Sequence, residues 1–363
     1  MDNAQNVRLA AAPEDYKKLG LTRDIQMWED GMRTDGTSGN FEWWYFDAVL
    51  EGGGNLVASF MTKSLTTAQL PLTPQISFEY NSGDKHCSRM VMFKPEEFSA
   101  SKEKADVTIG KNTFRGDLTH YDIHFEDEGI SADIRLDNTL PSWRPQTGHL
   151  CFGEEKYYAW FVGTPEGRVT GTLTIDGETF ALKGTGYHDH NWGNCNLAEL
   201  QHHWYWGRGK IGDYMLINAY NYATEEYGYY NFPVFMLAKG NKIIADDTQY
   251  MTFREEEQVV DEVTGKPYHK RLVYDYNDGT QHFELVYTLE EVIVQSKLTD
   301  DLPEPMKEAA LKAGIDSAYL RFAGRGVLNR YEGERIVEQA ESPAIWEEMY
   351  FGKSLLHYEY RKN

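Results

Sequence analysis

From about Asn40 onward the chain is built of short runs in which apolar and polar residues alternate, broken by Gly, Asn and Asp. A period of two marks strands with one buried face. Strands are predicted over 41–50, 55–61, 88–93, 114–118, 121–125, 130–136, 157–164, 168–175 and 178–183. The pattern resumes over 204–208, 214–221, 232–238, 242–247, 268–276, 280–287, 292–297, 319–329 and 334–341. Ile175-Asp176-Gly177-Glu178 reads as a hairpin, because Asp and Gly accept the positive φ of a tight turn. A short helix is predicted near 13–19. A second, over 303–313, has Asp300 and Asp301 ahead of it, Pro303 at its start and Gly314 at its end. Evenly spaced short strands argue for a barrel or a sandwich.

The pattern occurs twice. Phe41-Glu42-Trp43-Trp44-Tyr45-Phe46 precedes a Gly-rich turn and then Leu56-Val57-Ala58-Ser59-Phe60. His203-Trp204-Tyr205-Trp206 precedes another such turn and then Met215-Leu216-Ile217-Asn218-Ala219-Tyr220. The offset is roughly 160 residues, about one barrel domain. This divides the chain into a polar, weakly structured lead-in (1–38), a first domain (39–196) and a second (197–363).

Aromatic residues make up 14% of the 363 residues: 24 Tyr, 17 Phe and 9 Trp. They suit pleated sheets and also the wall of a pocket for an apolar ligand. The formal net charge of −21 opposes binding to nucleic acid, which depends on Lys and Arg. The charge also keeps an aromatic-rich chain in solution. Three distant cysteines, Cys87, Cys151 and Cys195, make no disulfide framework and no zinc pair. No signal peptide and no bilayer-length apolar run is visible, so a cytoplasmic protein without an integral membrane segment is expected. The acidic run Glu255-Glu256-Glu257 reads as a solvated face.

One segment concentrates candidate chemistry: Gly184-Thr185-Gly186-Tyr187-His188-Asp189-His190-Asn191-Trp192-Gly193. In an extended chain His188 and His190 share one face and Asp189 takes the other. Two imidazoles fall short of a metal ligand set, so no metal is assigned. Kept protonated by burial, Asp189 would deliver a proton to an apolar substrate. Trp192, Trp204 and Trp206 could stabilise the resulting cation. The competing view is a buried hydrogen-bonded clasp of structural value only. In the first aromatic run, alternation puts Glu42, Trp44 and Phe46 on one face and Trp43, Tyr45 and Asp47 on the other. Glu42 is a second candidate acid.

These two segments together resemble the hydroxyneurosporene synthase and carotenoid 1,2-hydratase-like superfamily, which includes AttH-type proteins. The similarity runs from about Gly39 onward, and the His-Asp-His-Asn-Trp-Gly block is its specific part. The resemblance implies an all-β fold of two tandem lipocalin-like antiparallel β-barrels with minor helix. It also implies chemistry on a small hydrophobic substrate without a metal or organic cofactor. The family's activities include double-bond hydration, [4+2] cyclisation and roles with no known reaction. For this chain the implied function is a hydratase or dehydratase acting on an isoprenoid or polyene. The alternatives are a Diels-Alderase-like cyclase or isomerase, or a lipophilic binding protein. Carried over to this sequence, the catalytic set is His190 and Trp192, with His188 and Asp189. Tyr220 matches a family Tyr on the strand 217–222, but no carboxylate follows it, which leaves Asp189 or Glu42 as proton source. Trp43, Trp44, Tyr187, Trp204 and Trp206 are the expected substrate contacts.

Overall fold

Alternation along the chain becomes an inside and an outside of two curled antiparallel sheets. In the computed structural model, which describes residues 7–64, 67–300 and 302–354, one unit spans Arg8–Leu197 and another begins at Ala198. Asp301, expected ahead of a helix, lies outside the described residues.

The first sheet comprises β1 (Val7–Leu9), β2 (Phe41–Leu50), β3 (Asn55–Met61), β4 (Gln75–Ser82), β5 (Lys85–Met92), β6 (Phe98–Ala100), β7 (Asp106–Ile109), β8 (Asn112–Gly116), β9 (His120–Asp127), β10 (Ile130–Asn138), β11 (His149–Phe152), β12 (Lys156–Ile175) and β13 (Glu178–Gly193). Its strand order is β5-β4-β3-β2-β13-β12-β10-β9-β8-β7-β6, with β11 paired to β12 and to β1. The second comprises β14 (Gln201–Ile211), β15 (Tyr214–Ala223), β16 (Asn231–Lys239), β17 (Lys242–Ala245), β18 (Met251–Val260), β19 (Pro267–Asn277), β20 (His282–Ser296), β21 (Ile315–Glu332) and β22 (Arg335–Gly352). Its order is β17-β16-β15-β14-β22-β21-β20-β19-β18. The two orders match strand for strand from β5 to β8 and from β17 to β18, so β2 corresponds to β14 and β13 to β22. These are lipocalin-like half-barrels, each an up-and-down sheet wrapped round its own core.

Inward residues fill each core by alternation. Leu56, Ala58 and Phe60 of β3 and Ile76 and Phe78 of β4 are fully buried, and Phe78 stacks on Phe125 at 4.3 Å. The second core is richer in tyrosine, with Tyr205, Tyr274, Tyr287 and Trp346 buried together. The predicted hairpin at Asp176-Gly177 has positive φ at both residues (50° and 85°), the conformation of a type I′ turn. The helices at Pro13–Leu19 and Glu304–Lys312 lie where the sequence puts them. Among the described residues no helix is long and apolar enough to cross a membrane.

Several strand features depart from the expectations. The runs 157–164 and 168–175 form one strand, β12, bent by register shifts between Phe161 and Gly167, and the runs 280–287 and 292–297 likewise form one strand, β20. The strands predicted at 178–183 and 334–341 continue to Gly193 and Gly352. Strands β4 and β18 and the short strands β1, β6, β7 and β11, which the pattern did not reveal, complete the sheets. The acidic run is not wholly solvated: it lies on β18, and the Glu255 side chain, only 11% exposed, points into the second unit beside His269. A period of two sends alternate members of any acidic run inward.

The lead-in also differs from its weakly structured expectation. After a helix at Pro13–Leu19, a 3-10 turn at Met27–Asp30 carries the chain against the first barrel as a strap. Met32 N donates to Ser101 O (2.7 Å), and a side chain at Gly31 would collide with the Lys102 backbone. The strap's Glu29 and Asp30 are both buried, and they explain why a polar segment is ordered.

Candidate active site

The block 184–193 forms the C-terminal half of β13, hydrogen-bonded on one side to β12 and on the other to β2. Strand alternation fixes two chemically different faces at this point.

On the inner face His188 and His190, both fully buried, meet two carboxylates. His188 Nδ1 faces the Tyr45 carbonyl at 2.8 Å and must donate to it; Nε2 lies 3.1 Å from Asp30 Oδ2. The Tyr121 hydroxyl donates to the same oxygen at 2.6 Å. His190 Nε2 contacts Glu42 Oε1 at 2.8 Å. Its Nδ1 is 3.4 Å from Asp30 Oδ1, close enough for charge attraction but without hydrogen-bond geometry. Glu42 also accepts from Arg33 N, Thr34 N and the Thr34 hydroxyl at 2.6–2.8 Å. Burial would raise the Asp30 carboxyl, but the charges and hydrogen bonds of His188 and His190 outweigh it and hold Asp30 well below the usual carboxylate range. For His190 burial acts downward, and the two carboxylates overcome it and raise its pKa.

This inner network anchors the strap to the barrel. Trp44 stacks on His190 at 4.5 Å, and its indole N–H donates to the Asp30 carbonyl. Glu29 pairs with Arg144 at 2.6 Å. Glu42 therefore points inward on the same face as Trp44, with four donors directed at it. The histidines likewise partner Asp30 and Glu42, not Asp189.

The packing leaves little slack. A methyl group at Gly163, in the bent part of β12, would overlap the Tyr121 hydroxyl and the His188 ring. Gly163→Ala is expected to cost about 1–3 kcal/mol of stability, the usual range for overpacking. Chemical denaturation followed by tryptophan fluorescence would measure it, and an unchanged midpoint would count against a rigid network.

On the opposite face Asp189 is 8% exposed. It accepts from the Trp160 indole N–H (2.9 Å), the Tyr187 hydroxyl (2.9 Å) and the Asn191 amide (2.8 Å). Burial pushes its carboxyl up to about 6, against the downward pull of those donors. Tyr158 donates to Asn191 (2.5 Å) and stacks with Trp43, and Tyr45 meets Tyr187 edge-on. Asp189 is thus a titratable acid within a group of rings.

Trp192 belongs to the inner side. It packs on His190 (4.8 Å) and His149 (5.6 Å). It lines a cavity of about 410 Å³ together with Trp28, Tyr157, His149, Arg33 and Arg144. Burial lowers the pKa of His149, so that imidazole is neutral.

Of the residues singled out from sequence, His188, His190, Glu42, Trp44 and Trp192 come together on the inner side. Asp189, Tyr187 and Trp43 lie on the other side. Tyr220, Trp204 and Trp206 belong to the second unit, where Tyr220 bonds Asn231 and stacks on Phe253, and Trp204 packs on Phe351. Sequence reasoning missed Asp30, Tyr121 and Trp160. Asp30 reaches His188 across 158 positions, a separation at which local pattern carries no signal.

The family described as Domain of unknown function (DUF7064) matches residues 83–292. A quinolone epoxide rearrangement protein of Emericella nidulans is 27% identical over 194 residues, covering 49% of this chain and 53% of that protein. A hydroxyneurosporene dehydrogenase of Chlorobaculum tepidum is 25% identical over 208 residues, 47% and 53% of the two chains. The matches thus span about half the length of these curated relatives. Among solved structures, CghA with Sch210972 has a TM-score of 0.61 at 15% identity, covering 90% of this chain and 96% of CghA. Kievitone hydratase from Nectria haematococca has a TM-score of 0.52 at 14% identity, covering 90% and 93%. At these identities the structures share the fold.

Proposed function

The chain belongs to the DUF7064 family, within the lipocalin-like superfamily of AttH- and hydroxyneurosporene synthase-type proteins, and we propose that it is an acid catalyst acting on a small hydrophobic natural-product-like substrate. The observation that carries this reading is Asp189, a buried carboxyl near 6 held by three donors amid Trp160, Tyr187, Tyr45 and Trp43. A general acid works best when its pKa lies near the operating pH. Epoxide rearrangement and hydration, the reactions in the names of two similar proteins, can share an opening step. A proton passes to an epoxide oxygen or an alkene carbon, leaving a cation. Here the Asp189 O–H bond breaks and its electron pair stays on the carboxylate. Ring faces stabilise the cation. In hydration, water adds at the cationic carbon and returns a proton to Asp189. In rearrangement or cyclisation, a migrating bond or an internal alkene quenches the charge before a proton is lost.

A second reading, a binding protein for a lipophilic molecule, is favoured by the 410 Å³ cavity at Trp192. That cavity lies on the other face of β13 from Asp189, and its Glu29 is committed to Arg144.

Incubation of the protein with lipid-soluble extract of its source organism in ¹⁸O-water distinguishes the outcomes by mass spectrometry. A labelled water adduct identifies a hydratase, and a product of unchanged mass identifies a rearrangement or cyclisation. Recovery of a bound, unaltered compound would replace the catalytic reading with the binding one.

A further inference from the structure

The correspondence between the two sheets extends to the polar residues at their centres. In the first unit Glu42 of β2 lies opposite Trp192, and His190 of β13 lies opposite Trp44. In the second unit His203 of β14 lies opposite Tyr350, and Glu348 of β22 lies opposite Tyr205. His203 therefore occupies the place of Glu42 and Glu348 the place of His190, each roughly 160 residues on. Acid and imidazole have exchanged strands.

The surroundings differ. The strap's Asp30 completes the first network. In the second unit the additional group is another acid, Glu255 of β18, two residues from the inward-facing Phe253. Glu348 is 1% exposed, and its Oε2 is buried with no hydrogen-bond partner; Oε1 of Glu255 also lacks hydrogen-bond geometry, although it lies 3.4 Å from His269 Nδ1. The Tyr205 and Tyr350 hydroxyls and the Lys266 charge act on Glu348, but each of these groups also has another partner. The Tyr350 hydroxyl donates to the Pro267 carbonyl (2.9 Å), and that of Tyr205 contacts His269 Nδ1 (3.0 Å). Lys266 bonds Asp316 and the Gly352 carbonyl, and Asp316 also holds Lys297. His203 is stacked between Tyr222 and Tyr350. The Tyr222 hydroxyl is directed at Glu255.

Two buried carboxyl oxygens without donors are costly unless something else supplies N–H or O–H groups. We propose that the interior of the second unit is a binding site for a small hydrophobic amine, its ammonium group held between Glu348 and Glu255 and its carbon skeleton lying on Tyr220 and Phe253. An ammonium would supply donors to the two oxygens left without one and a positive charge between the two acids. The ring pair Tyr220–Phe253, at 3.9 Å, offers apolar surface and cation–π attraction. An alcohol of the same shape brings donors without charge. The site lies outside the proposed Asp189 chemistry and does not depend on it.

The acid–base setting agrees. Burial, reinforced by the charge of Glu255, pushes Glu348 well above the usual carboxylate range, and burial pushes Glu255 up to about 7. Burial lowers His202, His203 and His269, with His202 and His269 near 4, and lowers Lys266 to about 8. The acids are thus neutral when the site is empty at low pH. Binding of a cation expels a proton and strengthens as the pH rises through 7.

The experiment is calorimetric titration of the full chain with tryptamine, 4-phenylbutylamine and the corresponding alcohols at pH 6 and pH 8. At pH 8 the amines are expected to bind about tenfold or more tighter than the alcohols, as charge-assisted hydrogen bonds allow. Their preference should shrink at pH 6, and proton release should appear in buffers of different ionisation enthalpy. Glu348→Gln and Glu255→Gln should each remove the preference. Both variants are expected to retain a folded barrel by thermal melt, because each replaces a buried acid that has an unsatisfied oxygen with a neutral amide of the same shape. Equal affinity for amines and alcohols, failure of both amines to bind, or an undiminished preference in both variants would overturn the proposal.

Discussion

Replacement of Asp189 by Asn is expected to lower turnover by about 10²–10⁴-fold, the usual contribution of a positioned general acid, while the barrel stays folded. The reasoning rests on local geometry. Asn keeps an oxygen for the Trp160 and Tyr187 donors and loses chiefly the bond from the Asn191 amide. It cannot release a proton. The wild type should also show a characteristic pH dependence. An acid must be protonated to act, so kcat/KM is expected to fall as the pH rises through about 6. Trp160→Phe removes a donor that stabilises the ionised form, so the descending limb should move to higher pH. Steady-state kinetics on whichever substrate the labelling experiment reveals would test both. An Asp189→Asn enzyme with full activity would remove Asp189 from the mechanism.

Asp30→Ala is expected to have the largest effect on stability, about 3–5 kcal/mol, because it leaves two buried imidazoles without their shared carboxylate. Urea denaturation followed by tryptophan fluorescence would report it, since Trp44 touches both the strap and His190. The pH dependence follows from the shifts of the two partners, which describe one interaction and are counted once. Asp30 is held below its ordinary 3.8, so its contribution is present above that value and is lost as the pH falls below it. His190 is raised above its ordinary 6.5, so its contribution is complete below that value and is lost as the pH rises past its folded pKa. Wild-type stability should therefore be greatest between these limits and decline on both sides. The Asp30→Ala protein should lose most of that curvature. A variant as stable as the wild type would show that the strap is not held by these charges.

Much of the fold was legible because strand alternation is a local property. It put Glu42 and Trp44 on one face, separated Asp189 from His188 and His190, and exposed a repeat in keeping with the like strand orders of the two sheets. The site was legible only in part. His190 and Glu42 were both noticed, but their pairing depends on the register between β13 and β2. Asp30 lies in a segment with no periodicity, and nothing in Trp28-Glu29-Asp30 marks one carboxylate as buried. Glu348 was missed because the predicted strand stops at 341, although the pattern beyond it carries a signal. It alternates with Trp346 and Tyr350 on the last strand, and a lone acid on an aromatic face is a visible anomaly. Glu255 was hidden by its acidic neighbours, which made the run look uniformly exposed.

The strap has a kinetic consequence. Its partners His188 and His190 are among the last residues of their unit to be synthesised, although the strap itself is among the first. Docking it requires one of the longest loop closures in the unit, and contacts of that span form slowly. On the ribosome, strands β2 to β12 emerge before β13, which carries both imidazole partners of Asp30. The nascent chain would thus pass through an interval in which Asp30 has no imidazole partner. Only the arrival of β13 supplies the imidazoles that fix a strap made long before them.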